Sequence, residues 1–331
     1  MEASVSLDLP TRILQARQRI EPYVRRTHLE YSPGLSKLAD GCEVYIKLES
    51  EQITGSFKAR GAFNKMLMLA ERGPEFKEKG VITASSGNHG LGCLAACKRT
   101  GIPLTVYCQK HVDAGKRNSL EEQGATVVLY GEDCVDAELE ARRTANLSGV
   151  EYISPYNDYD IIAGQGTISV EILEQLPEVD AILVSVGGGG LIGGIARYAK
   201  QVKPSIKIIG CSPEKSKVMH ASVIAKKLIY EESFDTLSDG TAGSIEENSV
   251  TFEICRDYVD EWMLVTEEQI GKAVVFMAQT HHKIVEGSAG VSLGAYMFNA
   301  ARFKGQKVAI VSCGSNISVR SLQDLLNKYV K

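Results

Sequence analysis

No segment of this chain approaches the roughly 18 unbroken apolar residues that a membrane-spanning helix needs, so a helical membrane protein is excluded as a reading. A surplus of one charge is missing too. With 37 basic against 41 acidic side chains, nothing would hold nucleic acid or an anionic membrane surface, and the expected partner is a small molecule. CxxC pairs are absent: the eight cysteines are scattered over 331 residues, which fits reduced thiols in a cytoplasmic protein better than a disulfide framework. Met1 to Asp8 lacks the basic and apolar parts of a leader. No repeat, low-complexity tract or appended regulatory module interrupts the pattern. What is present, 44% hydrophobic and 24% charged residues over this length, describes a globular chain large enough for two lobes.

Strands and helices alternate. Val44–Leu48 reads as a strand leading into a helix with Phe57, Ala62, Met66 and Leu69 at helical spacing. From Val81 to Ile153 the alternation is regular: strands at 81–84, 104–108 and 126–130, helices at 88–99, 114–123 and 134–147. A second series has a helix near 166–176, a strand at 181–186, a glycine loop, a helix to about 200 and a strand at 206–211. After a weakly patterned stretch, Thr266-Glu267-Glu268-Gln269 forms a capping box that starts a helix to about 283. A helix at 288–302 and a strand at 308–312 follow. Repeated βαβ units imply mostly parallel sheets flanked by helices, an α/β fold.

Three turns carry chemistry. Ser56-Phe57-Lys58-Ala59-Arg60-Gly61-Ala62 puts a lysine at a helix start, with Ser56 as the expected N-cap. The macrodipole and burial both disfavour an ammonium there, so the amine is suited to attack carbonyls. Gly187-Gly188-Gly189-Gly190 follows a buried strand and opens a helix, so bare amides and a helix dipole meet an anion such as phosphate. Gly188 to Gly193 also fits GxGxxG, and Glu214 lies where a dinucleotide fold would place its ribose acid, so a nucleotide-binding oxidoreductase is the rival from another class. Ser85-Ser86-Gly87-Asn88-His89-Gly90 starts a helix with hydroxyls and amides suited to a substrate carboxylate. Such residues also serve as plain helix caps. His89, Cys93 and Cys97 share a helix face but lack a fourth ligand, so no metal site is expected. Cys313, in the turn Ser312-Cys313-Gly314-Ser315-Asn316, has no assigned base and reads as a buried thiol rather than a nucleophile.

Together these motifs, with Glu286-Gly287-Ser288-Ala289-Gly290, resemble the fold-type II pyridoxal phosphate enzymes, especially serine/threonine dehydratases and serine racemase. The motifs stand in family order over nearly the whole chain. The resemblance implies a two-lobed fold like the tryptophan synthase beta-subunit, with residues 1–69 and 154–331 as the large cofactor-binding domain and 70–153 as the small substrate-side domain. It implies that Lys58 binds pyridoxal 5'-phosphate covalently, Phe57 flanks the ring, Asn88 contacts its phenolic oxygen, Gly187, Gly188, Gly189 and Gly190 hold phosphate, Cys313 faces the ring nitrogen, and Glu286 lies in the cofactor site. Ser85, Ser86, Asn88 and His89 would hold the carboxylate of a small amino-acid substrate. The expected activity is dehydration and deamination of L-threonine or L-serine to a 2-oxo acid and ammonia, in a homodimer or higher homo-oligomer. A racemase is the alternative, since Ser86 matches the second proton carrier of serine racemases. Their cation-binding acid corresponds to Ser212 here, with Glu214 two residues away.

Overall fold

The computed structural model describes residues 8–330; the N-terminal stretch read as lacking a leader lies, Asp8 apart, outside them. Among the described residues, ten strands form two sheets. The strands are β1 (Leu29–Tyr31), β2 (Glu43–Leu48), β3 (Val81–Ala84), β4 (Leu104–Cys108), β5 (Thr126–Leu129), β6 (Glu151–Tyr152), β7 (Ala181–Ser185), β8 (Lys207–Pro213), β9 (Glu261–Val265) and β10 (Lys307–Ser312). The six-stranded sheet has the order β1-β2-β10-β7-β8-β9 and the four-stranded sheet β5-β4-β3-β6. All pairings are parallel except β1 with β2 at the edge.

Register decides where the site falls. Leu48 of β2 lies opposite Ser312 of β10, and Ser185 of β7 opposite Cys211 of β8. The turns that follow β2, β7 and β10 therefore leave one edge of one sheet, the carboxyl edge at which open α/β sheets bind ligands. Every residue of β7 is buried, as expected of a strand covered on both faces.

Two hydrophobic clusters make up most of the core. One surrounds the six-stranded sheet, with Ile46, Leu183, Ile209 and Ile310 at its centre. The other joins Val81, Leu104 and Val106 of the smaller sheet to Ala59, Ala62, Phe63, Met66 and Leu69 of helix Lys58–Arg72. That helix thus continues from a strand of one sheet and buries its apolar stripe with the other. Its close neighbour, helix Tyr159–Gln175, crosses it backbone to backbone: a Cβ on Gly164 would lie 2.5 Å from Gly61 Cα.

Four sequence expectations need correction. Ser56 does not cap the lysine helix; Phe57 occupies that position without a side-chain bond, and the Ser56 hydroxyl is buried without a partner. The helix expected from 166 starts at Tyr159, capped by the Asp158 carboxylate; most of its first turns are buried, so no amphipathic stripe marks them. The capping box of Thr266 and Gln269 forms, but its helix ends at Phe276 and passes into a π-helical turn, Met277–His281. The weakly patterned stretch, from Pro213 to Val250, holds helix Val218–Ala225, and helix Val250–Tyr258 and β9 follow it.

Candidate active site

Lys58 is placed by what lies beneath it. β2 ends in a 3-10 turn, Glu49–Glu51, and the chain then turns through Gly55 at φ +72°. Ser56 bridges to Gly314, and the Phe57 N–H donates to the Cys313 carbonyl at 3.0 Å, which pins the helix start to the turn after β10. Two residues further into the helix, the fully buried Arg60 guanidinium grips Glu49 through two 2.7 Å bonds and Glu171 through bonds of 2.7 and 3.0 Å. Lys47 adds a 2.6 Å bond to Glu171. Breaking one partner out of such a buried cluster leaves a charge unpaired, so the cluster holds the first helical turn in one register.

The Lys58 ammonium donates to the Pro155 carbonyl at 2.7 Å and sits 5.3 Å from the centre of the Phe57 ring. Burial pushes its pKa down to about 8, against the opposing pull of Cys93, Cys313 and Glu286. A neutral, nucleophilic amine is therefore accessible near neutral pH.

The glycine loop faces the same strap. Tyr156, next in the chain after Lys58's acceptor, lies with its ring where a Cβ on Gly188 would go and with its own Cα 3.0 Å from a Cβ on Gly190. A Cβ on Gly187 would fall 2.8 Å from Thr241 Cα, and Gly189 adopts φ +85°. Helix Gly190–Val202 has no side-chain cap, so its first amides remain available. A loop that admits no side chain, ending in uncapped amides and packed against the residue next to the lysine's acceptor, fits a phosphorylated aldehyde cofactor.

Asn88, Glu286 and Asn316 close the other side. The Asn88 side-chain amide donates to both Glu286 oxygens at 2.8 and 3.1 Å, Asn316 N–H donates to Glu286 at 3.0 Å, and the Asn316 amide donates to Asn88 Oδ1 at 2.6 Å. Burial raises the Glu286 carboxyl to about 7. The Cys313 thiol is buried and pushed well above its ordinary range, so it is neutral. In the turn before helix Asn88–Thr100, Ser85 Oγ accepts from the Gly87 N–H at 3.3 Å, while the Ser86 hydroxyl is half-exposed. The His89 ring turns away from that turn: Nε2 meets the Ile153 carbonyl at 3.2 Å, and burial lowers its pKa to about 3. What His89 offers the turn is its backbone amide. Cys93 lies 3.5 Å from that ring and Cys97 bonds Met66 Sδ at 3.7 Å; no cluster of three metal-ligating side chains occurs among the described residues. Ser212 Oγ donates to the Val186 carbonyl, while the side chain of Glu214 stays in solvent.

Sequence reasoning overlooked Pro155, Tyr156 and Thr241. Pro155 acts through a main-chain oxygen, which no side-chain motif records. Tyr156 and Thr241 become visible only once the glycine loop has neighbours.

A half-buried lysine of lowered pKa, a glycine loop without room for side chains and a neutral thiol at the carboxyl edge of a parallel sheet match what a pyridoxal-phosphate-binding enzyme of fold type II requires. The chain belongs to the pyridoxal-phosphate dependent enzyme family, whose model matches residues 20–314. It is 39% identical to the L-threonine ammonia-lyase of Thermotoga maritima over 96% of this chain and 77% of that one. Among solved structures, the processed threonine deaminase isoform 2 of Solanum lycopersicum superposes with a TM-score of 0.88 at 31% identity, over 96% of this chain and 87% of that one. Maize serine racemase does so with 0.86 at 32%, over 97% and 98%. Family membership displaces the dinucleotide reading of the glycine loop.

Proposed function

We propose that this enzyme removes water and then ammonia from a small L-β-hydroxy amino acid, threonine or serine, leaving the 2-oxo acid. The observation that carries the reading is the Lys58 amine, held 2.7 Å from the Pro155 carbonyl beside the glycine loop and depressed to about 8. Pyridoxal 5'-phosphate, when bound, supplies an electron sink for negative charge at Cα. The amides of Gly187 to Gly190 would hold its phosphate, Asn88 its phenolic oxygen, and the neutral Cys313 thiol its ring nitrogen, with Phe57 beside the ring and Glu286 behind Asn88. Ser85, Ser86 and the amides of Asn88 and His89 would bind the substrate carboxylate. The Lys58 amine, held by the Pro155 carbonyl, would take the Cα proton. The β-hydroxyl leaves with a proton as water, and hydrolysis then releases ammonia.

A second reading, racemisation, is favoured by one observation: among the described residues nothing engages the Ser86 hydroxyl, which leaves it available as a proton carrier. Residues 70–153 are read as the substrate-side lobe, supported by a four-stranded sheet built from residues 81–152 alone. A cytoplasmic location is supported by eight free cysteines. A homodimer is supported by the uncovered edge strand β1, where the exposed Tyr31 packs on Tyr45 at 5.4 Å. No helix among the described residues is long and apolar enough to cross a membrane.

Assaying 2-oxo acid release from a panel of L-amino acids tests the reading. Threonine and serine are expected to lead, and release from neither overturns it.

A further inference from the structure

The strap Ser154–Asn157 carries the chain from β6 to helix Tyr159–Gln175, and two consecutive residues of it touch the site. The Pro155 carbonyl accepts from Lys58 Nζ at 2.7 Å, and the Tyr156 ring lies against Gly188. Both ends of the strap are held by a segment remote in sequence. Glu246 accepts from Asn157 Nδ2 at 2.9 Å and from Ser154 Oγ at 3.4 Å; its own backbone N–H donates to Tyr156 Oη at 2.9 Å, and the Val250 N–H donates to Asn157 Oδ1 at 3.0 Å. The same carboxylate pairs with Arg142 at 2.5 Å. Arg142 belongs to helix Cys134–Ser148, which packs on the four-stranded sheet; it also bonds Glu138 at 2.9 Å and lies 4.2 Å from the Tyr152 ring centre.

Glu246 is outside every motif that marks the family's site, and none of the roles above uses it. As an isolated ion pair, with side chains 29% and 19% exposed, Arg142–Glu246 would add little stability. Its distinguishing feature is convergence: one carboxylate binds the strap on both sides of Pro155 and joins it to the smaller sheet. Resting on the reading that Lys58 is the reacting amine, we propose that Glu246 is a positioning residue, which fixes the strap so that the Pro155 carbonyl holds the Lys58 amine and couples that placement to the four-stranded sheet through Arg142.

The test uses the full chain, freed of cofactor and given pyridoxal 5'-phosphate, with covalent capture followed by visible absorbance. Because displacements of an ångström at a reacting group cost up to about a hundredfold in rate, Glu246→Ala is expected to slow capture by about tenfold or more. In the reconstituted enzyme kcat should fall with it, while KM for threonine moves less than about twofold. Glu246→Gln, of equal length and still an acceptor for Asn157, should recover most of the loss. Asn157→Ala removes the same anchor without touching the carboxylate and should slow capture in the same direction. Capture and kcat at the parent rate in Glu246→Ala overturn the proposal, as does a loss that Gln fails to rescue and that follows a lowered melting temperature. Borohydride reduction and peptide mapping of the parent separate the two levels. Label on another lysine overturns the Lys58 assignment and this inference with it; label on Lys58 with unchanged rates in Glu246→Ala overturns this inference alone.

Discussion

The ammonium of the half-buried Lys58 has a main-chain oxygen, rather than a carboxylate, as its hydrogen-bond partner. Its folded pKa of about 8 lies below the ordinary 10.5. Below pH 8 both folded and unfolded chains carry the proton, and the fold bears the full cost of the buried charge. Between 8 and 10.5 the unfolded chain alone keeps the proton, so that cost fades as pH rises. Replacing Lys58 by methionine in the cofactor-free protein is therefore expected to stabilise it by roughly 3 kcal/mol at pH 7 and by little near pH 10.5, measured by urea denaturation at both. Ser86 answers a different question. Racemisation needs a proton carrier on each face of Cα, whereas elimination needs Lys58 and an acid for the hydroxyl. Ser86→Ala is expected to retain much of the oxo-acid formation, losing at most the roughly 1.5 to 3 kcal/mol of one charge-assisted hydrogen bond to the carboxylate, and to abolish any D-isomer. Chiral chromatography of one reaction mixture reads both yields; more D-isomer than oxo acid from the parent would reverse the ranking of the two activities.

Among the elements, the glycine loop makes the sharpest demand. Position 188 has no room for a side chain because the Tyr156 ring fills the space a Cβ would take. Gly188→Val should cost at least about a hundredfold in pyridoxal 5'-phosphate affinity, measured by equilibrium dialysis of protein shown by circular dichroism to be folded. The element scale also shows what the letters could carry. Strands such as Ala181–Ser185 were legible because burial on both faces writes an unbroken apolar run, and the Thr266 capping box because its two bonds are local. Helix Tyr159–Gln175 was misread at its start because a helix buried nearly all round has no stripe. Edge strand β9, only partly buried and opening on Glu261 and Trp262, resembled its surroundings. The Arg60 cluster was illegible for another reason. Its acids come from positions 49 and 171, and only the crossing of Gly61 with Gly164 brings the second of them beside the first.

For the molecule as a whole, the two sheets differ in how firmly they are held. Helix Ala114–Glu122 buries Leu120 alone, and β5 has no fully buried residue, while β7 is buried throughout. Backbone amides of residues 114–129 are expected to exchange with deuterium well before those of 181–185, read by mass spectrometry of peptic fragments. Similar exchange in the two segments would contradict a softer small sheet. The lysine helix stands between these unequal partners, tied at its first turn to the turn after β10 and along its apolar stripe to the smaller sheet's core. It occupies the place of the pin in a pair of scissors. A rotation of the blades about that pin would change what reaches the amine, and the strap that holds the amine would carry the same movement to it, so access and reactivity would be adjusted together.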